Sequence, residues 1–155
     1  MDTSNELNFV SAPADYSGAW LTANWPIIEA VAAGANLSAA LQEPLQVLTP
    51  SEARTIAAFA EAIVPGEQST GAIHFMDRAL GGFARSLLPT IRAAIRELDG
   101  TGCFADLCAK EQLEVVKSLE NREFFGPARL LALIGVFADP LHGGKPSDVM
   151  GLAAA

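Results

Sequence analysis

Residues 49–65, TPSEARTIAAFAEAIVP, constrain the fold more than any other stretch of the chain. Thr49 is placed to N-cap a helix and Glu52, three residues on, to complete a capping box. Pro50 takes the first helical position, where no amide is lost. Ile56, Phe59, Ala60 and Ile63 then recur at helical spacing on one face, while Arg54 and Glu61 sit among alanines on the other. Pro65-Gly66 stops the helix. A helix with one oily face and one mostly small face needs other helices against it, so a bundle is the expected setting.

The remaining chain repeats that pattern. Residues 1–17 are polar and non-periodic and read as an extended arm, with Leu7, Phe9, Val10 and Tyr16 apolar enough to lie in a groove. Pro26 opens a helix over about 26–33, with Trp20 and Trp25 before it; Gly34 and Asn36 interrupt it, and 38–42 add a further turn. After a polar loop at 66–72, Ile73, Met76 and Leu80 share a face that Phe83 and Leu87 continue past a break at Gly81-Gly82. Pro89 starts a helix with Ile91, Ile95 and Leu98 aligned, stopped by Gly100. Residues 109–121 form an amphipathic helix through Leu113, Val116 and Leu119. The last long helix starts near Glu123 and runs to Phe137; apolar on more than one side, it is expected to be the most buried. Asp139-Pro140 ends it, and the tail LHGGKPSDVMGLAAA reads as irregular. No strand pattern and no internal repeat occurs. The expectation is an all-α, compact bundle of about five to seven helices with an extended N-terminal arm.

Composition narrows the function. Hydrophobic residues make up 50% of 155 and charged residues 18%, which fits either an alanine-rich core or apolar surface reserved for a partner. A net charge of −8 argues against nucleic-acid binding, which needs clustered Lys and Arg. No apolar run spans a bilayer, and the absence of basic residues before Arg54 excludes a typical signal peptide and a twin-arginine pair. Cys103 and Cys108 either bridge a loop or stand as two free thiols.

Catalytic spacings are missing. His74 at a helix start, with Asp77 three residues on, allows a local His–Asp hydrogen bond, but no nucleophile accompanies it and a structural histidine is the favoured reading. His142 lies in ADPLHGGK, where Gly-Gly permits a close backbone approach; a loop capping the last helix is favoured over an anion site. No metal-ligand spacing, nucleophile elbow or dinucleotide fingerprint is present. Trp20 and Trp25 read either as plugs at the end of the bundle, the favoured view, or as interface anchors.

Five segments in order, LTPSEARTIAAFAEAIVPGE, GAIHFMDRAL, FADLCAKEQLEVVKSLE, the FF pair at 124–125 and GVFADPLHGGK, resemble the gluconate 2-dehydrogenase subunit 3 family over residues 48–145. The resemblance implies a non-catalytic small subunit that binds, stabilises and helps mature a large FAD-dependent dehydrogenase of the glucose–methanol–choline type, oxidising sugars or alcohols. A multihaem cytochrome c subunit often completes such complexes. FAD is then expected in the partner, with no cofactor, metal or catalytic residue in this chain. Residues 1–47 become a partner-binding arm and Trp-containing segment, and 48–155 the helical small-subunit domain. The interface candidates are Trp20, Trp25, Phe124, Phe125 and His142. The chain departs from the family in its acidic opening, where a twin-arginine signal is frequent, in Cys108, where Ser or Thr usually precedes the fifth helix, and at Leu141-His142 and Lys145. A periplasmic location with an exported partner, or otherwise a cytoplasmic one, is expected. The alternatives are a small helical enzyme using His74 or His142 as general base, and a module binding an apolar ligand.

Overall fold

A computed structural model describes residues 18–64, 70–100, 102–138 and 144–153; side-chain surroundings are described for 21–64, 72–100, 102–138 and 144–149. These residues form seven α-helices and, among them, no strand. In chain order the helices are α1 (Gly18–Ala40), α2 (Pro50–Ile63), α3 (Thr70–Gly81), α4 (Leu88–Leu98), α5 (Ala109–Ser118), α6 (Phe125–Phe137) and α7 (Pro146–Ala153). Short 3-10 turns at Arg85–Leu87 and Phe104–Asp106 join α3 to α4 and α4 to α5. The expected N-terminal arm lies outside the described residues.

The bundle is built around α6. Its sequence FGPARLLALIGVF carries one charge, Arg129, and every residue from Leu130 to Phe137 is buried. A helix that is apolar all round must be covered on all sides; α2, α3, α4 and α7 supply that cover. Gly135 allows the close approach of α3, since a Cβ there would stand 3.2 Å from Phe75 Cδ1. Outside this layer, α1 packs mainly on α3 and more lightly on α7, and its inner residues Leu21, Trp25, Ile28, Ala32 and Ala35 join the same core.

Local signals explain α2 well. Thr49 Oγ1 accepts from the Glu52 amide at 3.1 Å and Glu52 Oε1 accepts from the Thr49 amide at 3.0 Å, a complete capping box. Thr55, Ile56, Phe59 and Ala60 form its buried face. Glu52 Oε2 also takes a 2.9 Å ion pair from Arg92 Nε on α4. Partial burial pushes the Glu52 carboxyl up, but the Thr49 amide and Arg92 outweigh it and hold the group below its ordinary value of 4.5. A lowered folded value stabilises the fold above pH 4.5 and ceases to do so as pH falls through that folded value. Glu52→Gln is therefore expected to lose roughly 1 kcal/mol at pH 7. The gap between the urea midpoints of the two proteins should narrow as pH is lowered below 4.5; a gap unchanged down to the acid limit of folding would contradict the assignment.

Three elements depart from the sequence reading. The first helix does not begin at Pro26 or break at Gly34; it is one element, and both tryptophans lie inside it. Pro26 forgoes a bond to Thr22, but both residues are exposed, so the freed carbonyl is on the wet side. Leu21, Trp25, Ile28, Ala32 and Ala35, spaced four and three apart, keep a continuous buried seam, which outweighs the ~1 kcal/mol cost of a helical glycine. The tail is not wholly irregular, because Pro146–Ala153 is helical. Pro146 opens α7, Asp148 Oδ2 accepts from the Lys145 amide at 2.8 Å, and Val149 is fully buried. The fifth helix is shorter than expected, ending at Ser118, and Leu113 on it is 44% exposed.

Candidate functional site

The polar side chains nearest to chemistry in the sequence are engaged in holding loops to helices. Asp77, on α3, is buried and accepts three backbone amides from the segment entering α2: Gln46 at 2.7 Å on Oδ2, and Val47 and Leu48 at 2.8 Å each on Oδ1. The local His74–Asp77 hydrogen bond that the spacing allows is not formed; three amides from a crossing segment take the carboxylate instead. His74 Nε2 donates to the Glu43 carbonyl at 3.1 Å, and Nδ1 is buried with no partner. Asp99 accepts the Thr55 hydroxyl and the Phe104 amide, each at 2.9 Å. Arg78 reaches Ser38 on α1, tying α3 to it. Cys103 and Cys108 are exposed free thiols flanking the 3-10 turn at Phe104–Asp106. Among the described residues, no three His, Cys, Asp or Glu side chains are grouped to hold a metal.

The aromatic interface candidates sit largely inside the chain. Trp25 is buried in the α1 seam, and Phe124 and Phe125 are buried at the start of α6. Phe125 meets Phe59 edge-on, with centroids 6.0 Å apart at 87°. Arg122 lies 5.4 Å over the Phe124 ring. Trp20 lies in α1 with its side chain outside the described residues, as is all of His142. Phe125 also forms the inner wall of an open cleft of 450 Å³ between α2, α5 and α6, with Leu113 and Glu120 among its other lining residues. Mixed polar walls and wide exposure suit it to a partner's side chain better than to an enclosed apolar ligand.

The surface feature that stands out is the outer half of α1. Among the described residues 21–40 of this helix nine are exposed, and of those only Thr22 and Glu29 carry polar side chains. Ala23, Ile27, Ala30, Gly34, Leu37 and Leu41 follow one another at spacings of four and three, the pattern of a helix-pairing seam. Ile27 is 40% exposed, Leu37 62% and Leu41 63%. The Leu41 amide still bonds to the Leu37 carbonyl at 3.0 Å, so the stripe keeps helical geometry to its end. Thus α1 has two apolar faces, of which the described residues cover one. Reading the helix as interrupted hid this; the alternating spacing and the single charge over residues 18–40 were the available signal. Among the described residues, no helix is long and apolar enough to cross a membrane.

Compared with protein-family models, curated proteins and solved structures, the chain matches none of them.

Proposed function

We propose that this chain is a non-catalytic accessory subunit that binds, stabilises and helps mature a large FAD-dependent dehydrogenase of the glucose–methanol–choline type acting on sugars or alcohols. The observation that carries the reading is the exposed apolar half of α1, on a chain whose motifs resemble the small subunits of such complexes. Contiguous exposed apolar surface of this kind marks interaction sites in soluble proteins. The buried carboxylate of Asp77, the half-buried one of Asp99 and the His74 ring are engaged in holding backbone segments together, which supports a scaffold role. FAD then resides in the partner, and a multihaem cytochrome c subunit is a further candidate member. The complex is periplasmic where the partner is exported and cytoplasmic otherwise.

The alternative of a small enzyme finds less support, because His74 Nε2 is taken by the Glu43 carbonyl. The discriminating experiment is to produce a candidate large flavoprotein from the same genome with and without this chain. Soluble, FAD-loaded flavoprotein is expected only when both are made together. Equal yields of loaded, active flavoprotein in both cultures would sink the reading.

A further inference from the structure

We infer that the outer face of α1 is inserted, as a helix in a groove, into a larger protein whose groove has apolar walls and a rim of Lys or Arg. This deepens the accessory-subunit reading by naming the surface and the chemistry of its counterpart. The stripe runs over residues 23–41, ~28 Å at ~1.5 Å per residue. At a contact width of ~10 Å, two such stripes pressed together would bury ~300 Å² on each side, well under the ~800 Å² per partner of a stable interface. The stripe is also under three heptads, short for a self-standing helix pair.

Charge points the same way. Each chain carries −8, so a second copy would bring like charge against like. Glu29 borders the exposed face and Glu43 follows its end, both exposed. A basic rim complements them; the Arg78 guanidinium, which reaches from α3 to the edge of the stripe beside Gly34, is engaged by Ser38. The shape fits as well. Ala23, Ala30 and Ala33 flank one larger side chain, Ile27, in the first half, and Leu37 and Leu41 stand in the second, so the stripe is a low ridge ending in two bulky anchors. Helix-in-groove recognition uses anchors at this spacing. Walls embracing half the helix circumference bury far more area than a flat contact does.

The test uses the full chain in the cells that make it, with Leu37→p-benzoylphenylalanine as a photo-crosslinker and Lys110→p-benzoylphenylalanine, on exposed α5, as control. Illumination is expected to join position 37 to one different polypeptide, within a segment of apolar residues bordered by Lys or Arg. Adding Leu41→Asp, at a position 63% exposed and so harmless to folding, should lower the yield about tenfold. Four outcomes overturn the inference: an adduct of two copies of this chain, an internal adduct to residues 1–17, no adduct, or equal yield at position 110. The identity of the adduct tests the accessory-subunit reading separately. A partner that carries no FAD refutes that reading and leaves the groove intact, whereas flavoprotein rescue without a crosslink at position 37 does the reverse.

Discussion

Asp77→Ala is expected to lower stability by about 3–4 kcal/mol, a large loss for one polar side chain. The carboxylate is buried and is the shared acceptor of three consecutive amides. Its removal leaves the buried Leu48 amide with no acceptor, about 1–3 kcal/mol, and returns the Gln46 and Val47 amides to partial hydration at roughly 1 kcal/mol each. Asp77→Asn should fall about halfway. One oxygen still serves Val47 and Leu48, but an amide nitrogen then faces the Gln46 donor. Urea denaturation at constant slope measures both variants. Hydrogen exchange adds the local test, because protection of the Leu48 amide should collapse in Asp77→Ala before the amides of α6 respond. A loss under 1 kcal/mol with Leu48 still protected would show that the segment holds its path without Asp77. The effect reaches the proposed docking face, because this segment follows Leu41 and the His74–Glu43 bond secures its first part.

The second large effect is expected at Gly144. Its amide donates to the Phe137 carbonyl at 2.9 Å, satisfying one of the carbonyls left open at the end of α6. A Cβ on Gly144 would lie 2.5 Å from that same oxygen and 2.8 Å from Phe137 Cβ. Neither atom is the free end of a flexible side chain. Phe137 is buried in the last turn of the central helix, so the strain falls on the Gly144 segment and on α7 behind it. Gly144→Ala should cost about 2–3 kcal/mol, in the range of overpacked cores. Val149, fully buried, would lose its seat, so limited proteolysis should cut near α7 sooner than in the parent chain. Gly126→Ala is the control of opposite sign. Nothing lies within 4 Å of a Cβ there, and alanine is favoured over glycine in a helix by about 0.5–1 kcal/mol. Equal stability of the Gly144→Ala and Gly126→Ala proteins would remove the close-approach argument.

Much of the architecture was legible because its signals are local. Thr49, Pro50 and Glu52 lie within four residues and choose their conformation largely from one another. The α6 sequence excludes water on every side, which is enough to place it at the centre. The close approach permitted by Gly-Gly was visible as a requirement, although only the fold names Phe137 as what is approached. The misreadings share one cause. Gly34 and Pro26 are unfavourable in a helix taken alone, and α1 persists because α3 buries its inner seam. The α7 signal, Pro146 with Asp148, was present but short, and burial of Val149 secures it. Two interface candidates, Phe124 and Phe125, are buried, and Phe125 packs edge-on against Phe59 of α2, a contact no local pattern records.

By itself the sequence determined that this chain is helical, where α2, α4 and α6 begin, and that the middle of the bundle is α6. Those are consequences of spacing and capping within a few residues. Tertiary structure alone decided which of two apolar faces on α1 is covered, and that Asp77 serves the 46–48 amides rather than His74. Each of those depends on groups about thirty or more residues apart, and no local pattern records which distant partner reaches a side chain first.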